Sequence, residues 1–148
     1  MSEGDNSVVL KERIESWGES YFAPPATTEE LLTTEQRLGH KLPDELRQLL
    51  LESNGIQGDA YGLGLLWTAE RIAEDNLLFR QNPDFAELYM PFEGLLFFAD
   101  SGGGDQFGIK LSGINEVYLW DHESDNRTWV APNIMRLLED WMTGVVEF

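Results

Sequence analysis

Four short apolar runs, Leu95–Ala99, Phe107–Leu111, Val117–Trp120 and Arg127–Val130, follow one another with only a few residues of turn chemistry between them. That spacing constrains the fold more than any other feature. A parallel pair of strands needs a crossover of a dozen residues or more, so these four runs can only form an antiparallel meander. The intervening residues are mostly Asp, Ser, Asn and Gly, whose side chains or φ > 0 tolerance make tight turns.

Helical periodicity lies on either side. Leu10, Ile14 and Trp17 form the stripe of a short helix over residues 8–17, which Gly18 and Pro24-Pro25 end. Thr27 precedes Glu30 by three residues, the capping-box spacing, and Leu31 and Leu38 share a face before Gly39 supplies a left-handed stop. Pro43 suits the first turn of a third helix carrying Leu46, Leu49 and Leu50 up to Asn54-Gly55, with the second helix as its expected partner. Leu63–Trp67 reads as a strand. Thr68 then caps one middle helix running to about Arg80 and closed by Pro83, and Asn133 caps a last helix with Ile134, Leu137, Leu138 and Trp141. No repeat or linker interrupts this order. The expectation is an α+β fold in which residues 1–148 form one domain: one antiparallel meander sheet with N-terminal helices, one middle helix and a C-terminal helix packed on it.

Charge and composition narrow the function. The chain has 27 Asp+Glu against 10 Lys+Arg, a formal net charge of −17, and the excess is shared almost evenly between its two halves. Such a surface repels nucleic acid and anionic membranes and speeds encounter with a basic partner, although charge also serves solubility alone. The start carries no basic region followed by an apolar stretch, and no run approaches a membrane span, so a cytoplasmic, unprocessed protein is expected. With no cysteine and only two histidines, disulfides, thiol nucleophiles and cysteine-ligated metals are excluded.

Three clusters carry ligand-type side chains. Asp100-Ser-Gly-Gly-Gly-Asp105 has the glycines of a phosphate cradle but no Lys-Ser/Thr after them, and its flanking carboxylates would repel phosphate. A hard cation would find the two aspartates but not the alternating ligands of a calcium loop; a turn between strands explains the segment better. Asp121-His122-Glu123-Ser-Asp125-Asn126 offers one histidine among carboxylates, suited to a divalent metal or acid–base work, but it too lies where a hairpin turn collects such residues. No G-x-S-x-G elbow is present. No catalytic residue, metal or cofactor is expected. Along Val117-Tyr118-Leu119-Trp120 both alternating sets are apolar, so either both sheet faces are covered or Tyr118 and Trp120 face a partner.

Thr28–Gly55, with Glu35, Leu38-Gly39, Leu42-Pro43, a short apolar helix and Asn54-Gly55, resembles the signature of the SUKH superfamily. Phe97-Phe98-Ala99-Asp100-Ser-Gly-Gly-Gly104-Asp105-Gln-Phe107-Gly108 is similar to that superfamily's second mark, and Val117–Glu123 to its third. The family includes fungal cell-wall assembly regulators and many bacterial immunity proteins that neutralise a cognate toxin, often one that acts on nucleic acid. The resemblance therefore implies an α+β fold and a protein-binding role without catalysis. The leading expectation is an immunity protein for a basic toxin domain, with Asp59, Asp100, Asp105, Asp121, Glu123 and Asp125 as acidic contacts and Trp120 as an anchor. The alternative is an intracellular scaffold or regulatory module.

Overall fold

The computed structural model describes residues 9–58 and 64–145; Asp59 and the expected strand start at Leu63 lie outside them. The elements in chain order are α1 (Val9–Glu15), β1 (Tyr21–Phe22), α2 (Thr28–Leu38), α3 (Asp44–Glu52), β2 (Ile56–Gln57), β3 (Gly64–Leu66), α4 (Ala69–Gln81), α5 (Pro83–Leu88), β4 (Leu95–Asp100), β5 (Gln106–Lys110), β6 (Val117–Trp120), β7 (Arg127–Ala131) and α6 (Ile134–Met142). The architecture is α+β with antiparallel sheets, as the spacing of the apolar runs requires.

The helix boundaries follow from local chemistry. At α2 both halves of the capping box form: Glu30 N–H donates to Thr27 Oγ1 at 3.0 Å and Thr27 N–H to Glu30 Oε1 at 2.9 Å. Gly39 ends the helix at φ +83, and its N–H donates to Glu35 O. Pro43 sits one position before the first turn of α3, as its N-cap. Thr68 and Asn133 cap α4 and α6 through the N–H groups of Arg71 and Arg136. Glu45 of α3 also accepts from Ile134 N–H at 2.7 Å and Met135 N–H at 3.2 Å, so a carboxylate satisfies the first donors of α6 from across the fold.

Three expectations need correction. Pro83 does not simply close the middle helix: α4 ends at Gln81, and Asn82 and Pro83 start α5 at once, because a proline fits a first helical turn as well as it blocks continuation. The middle of the chain therefore holds two helices. The principal partner of α2 is α4 rather than α3, with Thr34 Oγ1 donating to Ala69 O inside the contact, while α3 packs on α1. An Arg47–Glu35 ion pair at 3.2 Å links α2 and α3. Finally, the strands form two sheets: the expected meander β4-β5-β6-β7, and a smaller antiparallel sheet β1-β2-β3 made of strands of two or three residues. Trp67 N–H donates to Phe98 O at 2.8 Å and ties the small sheet to the edge of the large one.

Burial accounts for the unalternating apolar runs. Leu95, Leu96, Phe97, Phe98 and Ala99 are all buried, so both faces of β4 are covered. Against β5 the register passes from Phe97↔Gly108 to Ala99↔Phe107, leaving Phe98 as a bulge. Asn76 of α4, 1% exposed, clamps the strand: its Nδ2 donates to Phe97 O and Ile72 O, and its Oδ1 accepts from Phe97 N–H. Phe79, Phe92, Phe97 and Trp120 interlock with centroids 5.1 to 5.7 Å apart, and Phe85 and Tyr89 extend the cluster toward the surface.

Candidate functional site

The meander brings the described sequence-predicted residues, all but Asp59, toward one end of the sheet. Gln106 pairs with Trp120, and Trp120 with Arg127, so the β4–β5 turn (101–105) and the β6–β7 turn (121–126) lie at the same end of the sheet. There Asp105 Oδ1 meets His122 Nδ1 at 2.7 Å and accepts from His122 N–H at 3.1 Å, stapling one turn to the other. The staple depends on Gly104. Its φ is +101, and a Cβ there would stand 2.8 Å from the His122 ring, so glycine is required both by the backbone and by the imidazole lying against it.

Each turn is organised by its own aspartate. Asp121 Oδ1 accepts from Glu123 N–H at 2.8 Å and Ser124 N–H at 3.3 Å. Those bonds, that from Glu123 first, hold its carboxyl below the usual range. Asp100 Oδ1 accepts from Gly102 N–H, while its Oδ2 accepts from Trp67 Nε1 at 2.8 Å and lies 3.4 Å from Arg71, whose guanidinium stacks 4.1 Å above the Trp67 ring. Its charge is thus largely answered within the fold.

Asp125 is the most heavily engaged. At φ +62, a conformation Asp tolerates, it accepts from Met90 N–H at 2.9 Å, Trp120 Nε1 at 2.8 Å and Arg127 Nη2 at 3.1 Å. Burial alone would raise its carboxyl, and these three donors outweigh that and hold it below the ordinary value. Arg127 reaches on to Met90 O and Pro91 O and lies 4.7 Å over the Phe92 ring. The Tyr89 hydroxyl donates to His122 O at 2.9 Å. Segment 89–91 is therefore a third part of the same end. Sequence reasoning missed it, since its ties span more than thirty residues; only Arg127, directly after the acidic turn, carried a local hint.

Trp120, expected as an anchor, is 2% exposed with its indole N–H satisfied by Asp125. It supports the site from below and presents no surface to a partner. Tyr118 and Leu119 are half-buried and Trp129 beside them is 49% exposed, its indole N–H donating to Glu116. Glu123 is exposed, and Asp105 and Asp121 are half-exposed.

Chemically, the end can present negative charge. One ligand atom each from Asp105, Asp121 and His122 lie within 4.8 Å of one another, which is metal-ligand spacing, but the hydrogen bonds above already account for this arrangement. The Asp105 bond, and then its charge, raise the His122 pKa, which favours the imidazolium over a metal-binding neutral ring. His40, expected at the surface after α2, is half-buried and bridges Lys41 O and Arg80 Nη1, away from this end. No described helix is long and apolar enough to cross a membrane.

No curated protein matches the chain. A family model does, over residues 25–140, spanning the helices α2 to α5, both sheets apart from β1, and most of α6. With the three motifs in order and the α+β fold that carries them, the chain belongs to the SMI1 / KNR4 family (SUKH-1).

Proposed function

We propose that this chain is a cytoplasmic immunity protein that binds and blocks a basic toxin domain, a nuclease or another nucleic-acid-modifying enzyme, with residues 1–148 acting as one non-catalytic domain. The observation that carries the reading is the −17 charge together with the gathering of acidic turns at one end of the meander. A toxin that holds a polyphosphate backbone must present a positive cleft, and a negative surface of matching reach competes for it. Charge of this kind raises the association rate and sets orientation. Its reach is about 8 Å at physiological ionic strength. Asp105, Asp121 and Glu123 are the acidic contacts of first choice, whereas Asp100 and Asp125 spend most of their charge inside the fold; Asp59, outside the described residues, is the sixth acidic position proposed.

The test is capture of partners by the full chain from lysate of its own source at moderate salt, followed by co-expression. A captured basic domain that arrests growth when expressed alone, and no longer does so with this chain, is the expected result. Association should slow as salt is raised. Recovery of only signalling or housekeeping proteins, with no growth protection, would overturn the immunity reading in favour of a scaffold.

A further inference from the structure

Leu88 and Met90 are 68% and 56% exposed, two residues apart, on a segment that the rest of the fold holds still. Asn82 caps α5 beneath them, with Asp84 N–H donating to Asn82 Oδ1 at 2.9 Å. Phe85 and Tyr89 pack edge to face at 5.8 Å, and Tyr89 stands against Trp120 at 5.0 Å. Bonds from Tyr89 Oη to His122 O, from Met90 N–H to Asp125, and from Arg127 to the carbonyls of Met90 and Pro91 fasten the segment to the acidic turn. Single exposed apolar side chains are ordinary on any surface. A pair held out from a segment fixed by four long-range hydrogen bonds is different, because the backbone that carries it is already ordered before anything binds.

The surroundings state what can cover it. Between Gln81 and Asn126 the only Lys or Arg is Lys110, and Lys110 pairs with Leu95 at the opposite end of the sheet from Asp100 and Gln106. The cations nearest the segment are engaged: Arg127 by Asp125 and two carbonyls, and Arg80, which lines the same hollow as Tyr89 and Met90, by His40 Nε2 and Leu95 O. Asp84 and Glu87 on α5, Asp121 and Glu123 across from it, and Glu93 beyond Phe92 leave an apolar knob in a negative field. An anionic membrane or a nucleic acid is repelled by such a rim, and a neutral apolar partner would have to strip water from the carboxylates without return.

We infer that the 88–90 knob and the 121–126 turn beside it form one docking surface for a basic protein domain, Leu88 and Met90 entering an apolar socket while Asp121 and Glu123 meet Lys or Arg on its rim. The inference rests on the proposed function and names the site for it. The division of labour is that of an interface with buried anchors and charged rim: the anchors set the dissociation rate and the rim sets the association rate. Methionine suits the first role, since its unbranched chain adapts to the shape it enters.

The test places the photo-crosslinker p-benzoylphenylalanine at position 88 or 90 of the full chain in cells of its source. Positions 32 and 114, exposed apolar sites elsewhere at 52% and 77%, serve as controls. The same set is repeated with D121K/E123K. A basic polypeptide crosslinked from 88 and 90 but not from 32 or 114, with yield falling about tenfold on charge reversal, is the expected result. With that pair purified, L88S/M90S should weaken binding by about tenfold or more through faster dissociation, the association rate being retained. A basic partner crosslinked only from 32 or 114 would overturn this surface while leaving the immunity function standing. No basic polypeptide from any of the four positions, or one insensitive to D121K/E123K, would overturn both.

Discussion

Replacing Asp125 tests the construction of the acidic end most directly, because one carboxylate there serves three donors from three parts of the chain. In Asp125→Ala the Trp120 indole N–H, buried with its ring, is left without an acceptor, which costs about 1–3 kcal/mol. The Met90 amide is exposed and rehydrates at little cost, and Arg127 keeps its two carbonyl partners while losing its ion pair. Alanine at φ +62 adds about 1 kcal/mol of backbone strain. The total is about 3 kcal/mol, or about 10 °C in Tm for a chain of this length. Asp125→Gly removes the side chain without the strain and should lose about 1 kcal/mol less than alanine. Asp125→Asn keeps both an acceptor oxygen and tolerance of the left-handed region, and should cost about 1–2 kcal/mol. Urea unfolding followed by tryptophan fluorescence and circular dichroism, with coincident transitions and unchanged m, supplies the numbers. The folded carboxyl lies below its unfolded value, so its stabilisation is full above the unfolded pKa and lost as pH falls through the folded one. The gap between wild type and D125A should therefore narrow below about pH 4. A D125A loss under about 0.5 kcal/mol at neutral pH, or D125G no better than D125A, would refute this account.

Three further outcomes follow from the same geometry. Asn76→Ala strands both the N–H and the carbonyl of Phe97 inside the core and should cost about 3 kcal/mol, with the Phe97 amide losing its protection from hydrogen exchange. The His122 imidazole should titrate above 6.5 by NMR and return toward that value in Asp105→Asn; because the folded pKa is the higher one, the staple's contribution is present below the unfolded pKa and disappears as pH rises through the folded value. Gly104→Ala forces the His122 ring away and strains a φ of +101, so it should destabilise by about 1–3 kcal/mol and lower the His122 pKa together, the coupling being the diagnostic part.

Much of the architecture was legible in the chain because its signals are local. A capping box needs only Thr27 and Glu30, a left-handed stop only Gly39, and four short runs with brief turns permit only an antiparallel meander. The small sheet was not legible: β1 and β2 have two residues each, too few for an alternation to register, and they form because Ile56 and Gln57 meet both Tyr21–Phe22 and Gly64–Leu66. Pro83 was ambiguous for a related reason, since its missing N–H fits the end of one helix and the beginning of the next. The partner of α2 turned on whole-fold packing, which periodicity along a single helix cannot name.

The candidate site divides in the same way. Net charge and the composition of the two acidic turns are properties of the sequence and fix the sign of the surface whatever the fold, because charge acts at a distance and without directional bonds. Which of those carboxylates face outward was decided only in three dimensions. Trp120 went to the core and drew Asp125 inward with it, Asp100 was taken by Trp67 and Arg71, and segment 89–91 was brought beside them by bonds over more than thirty residues. Hydrogen bonds and apolar burial are short-ranged and exclusive, so their allocation depends on neighbours that the order of residues along the chain does not reveal.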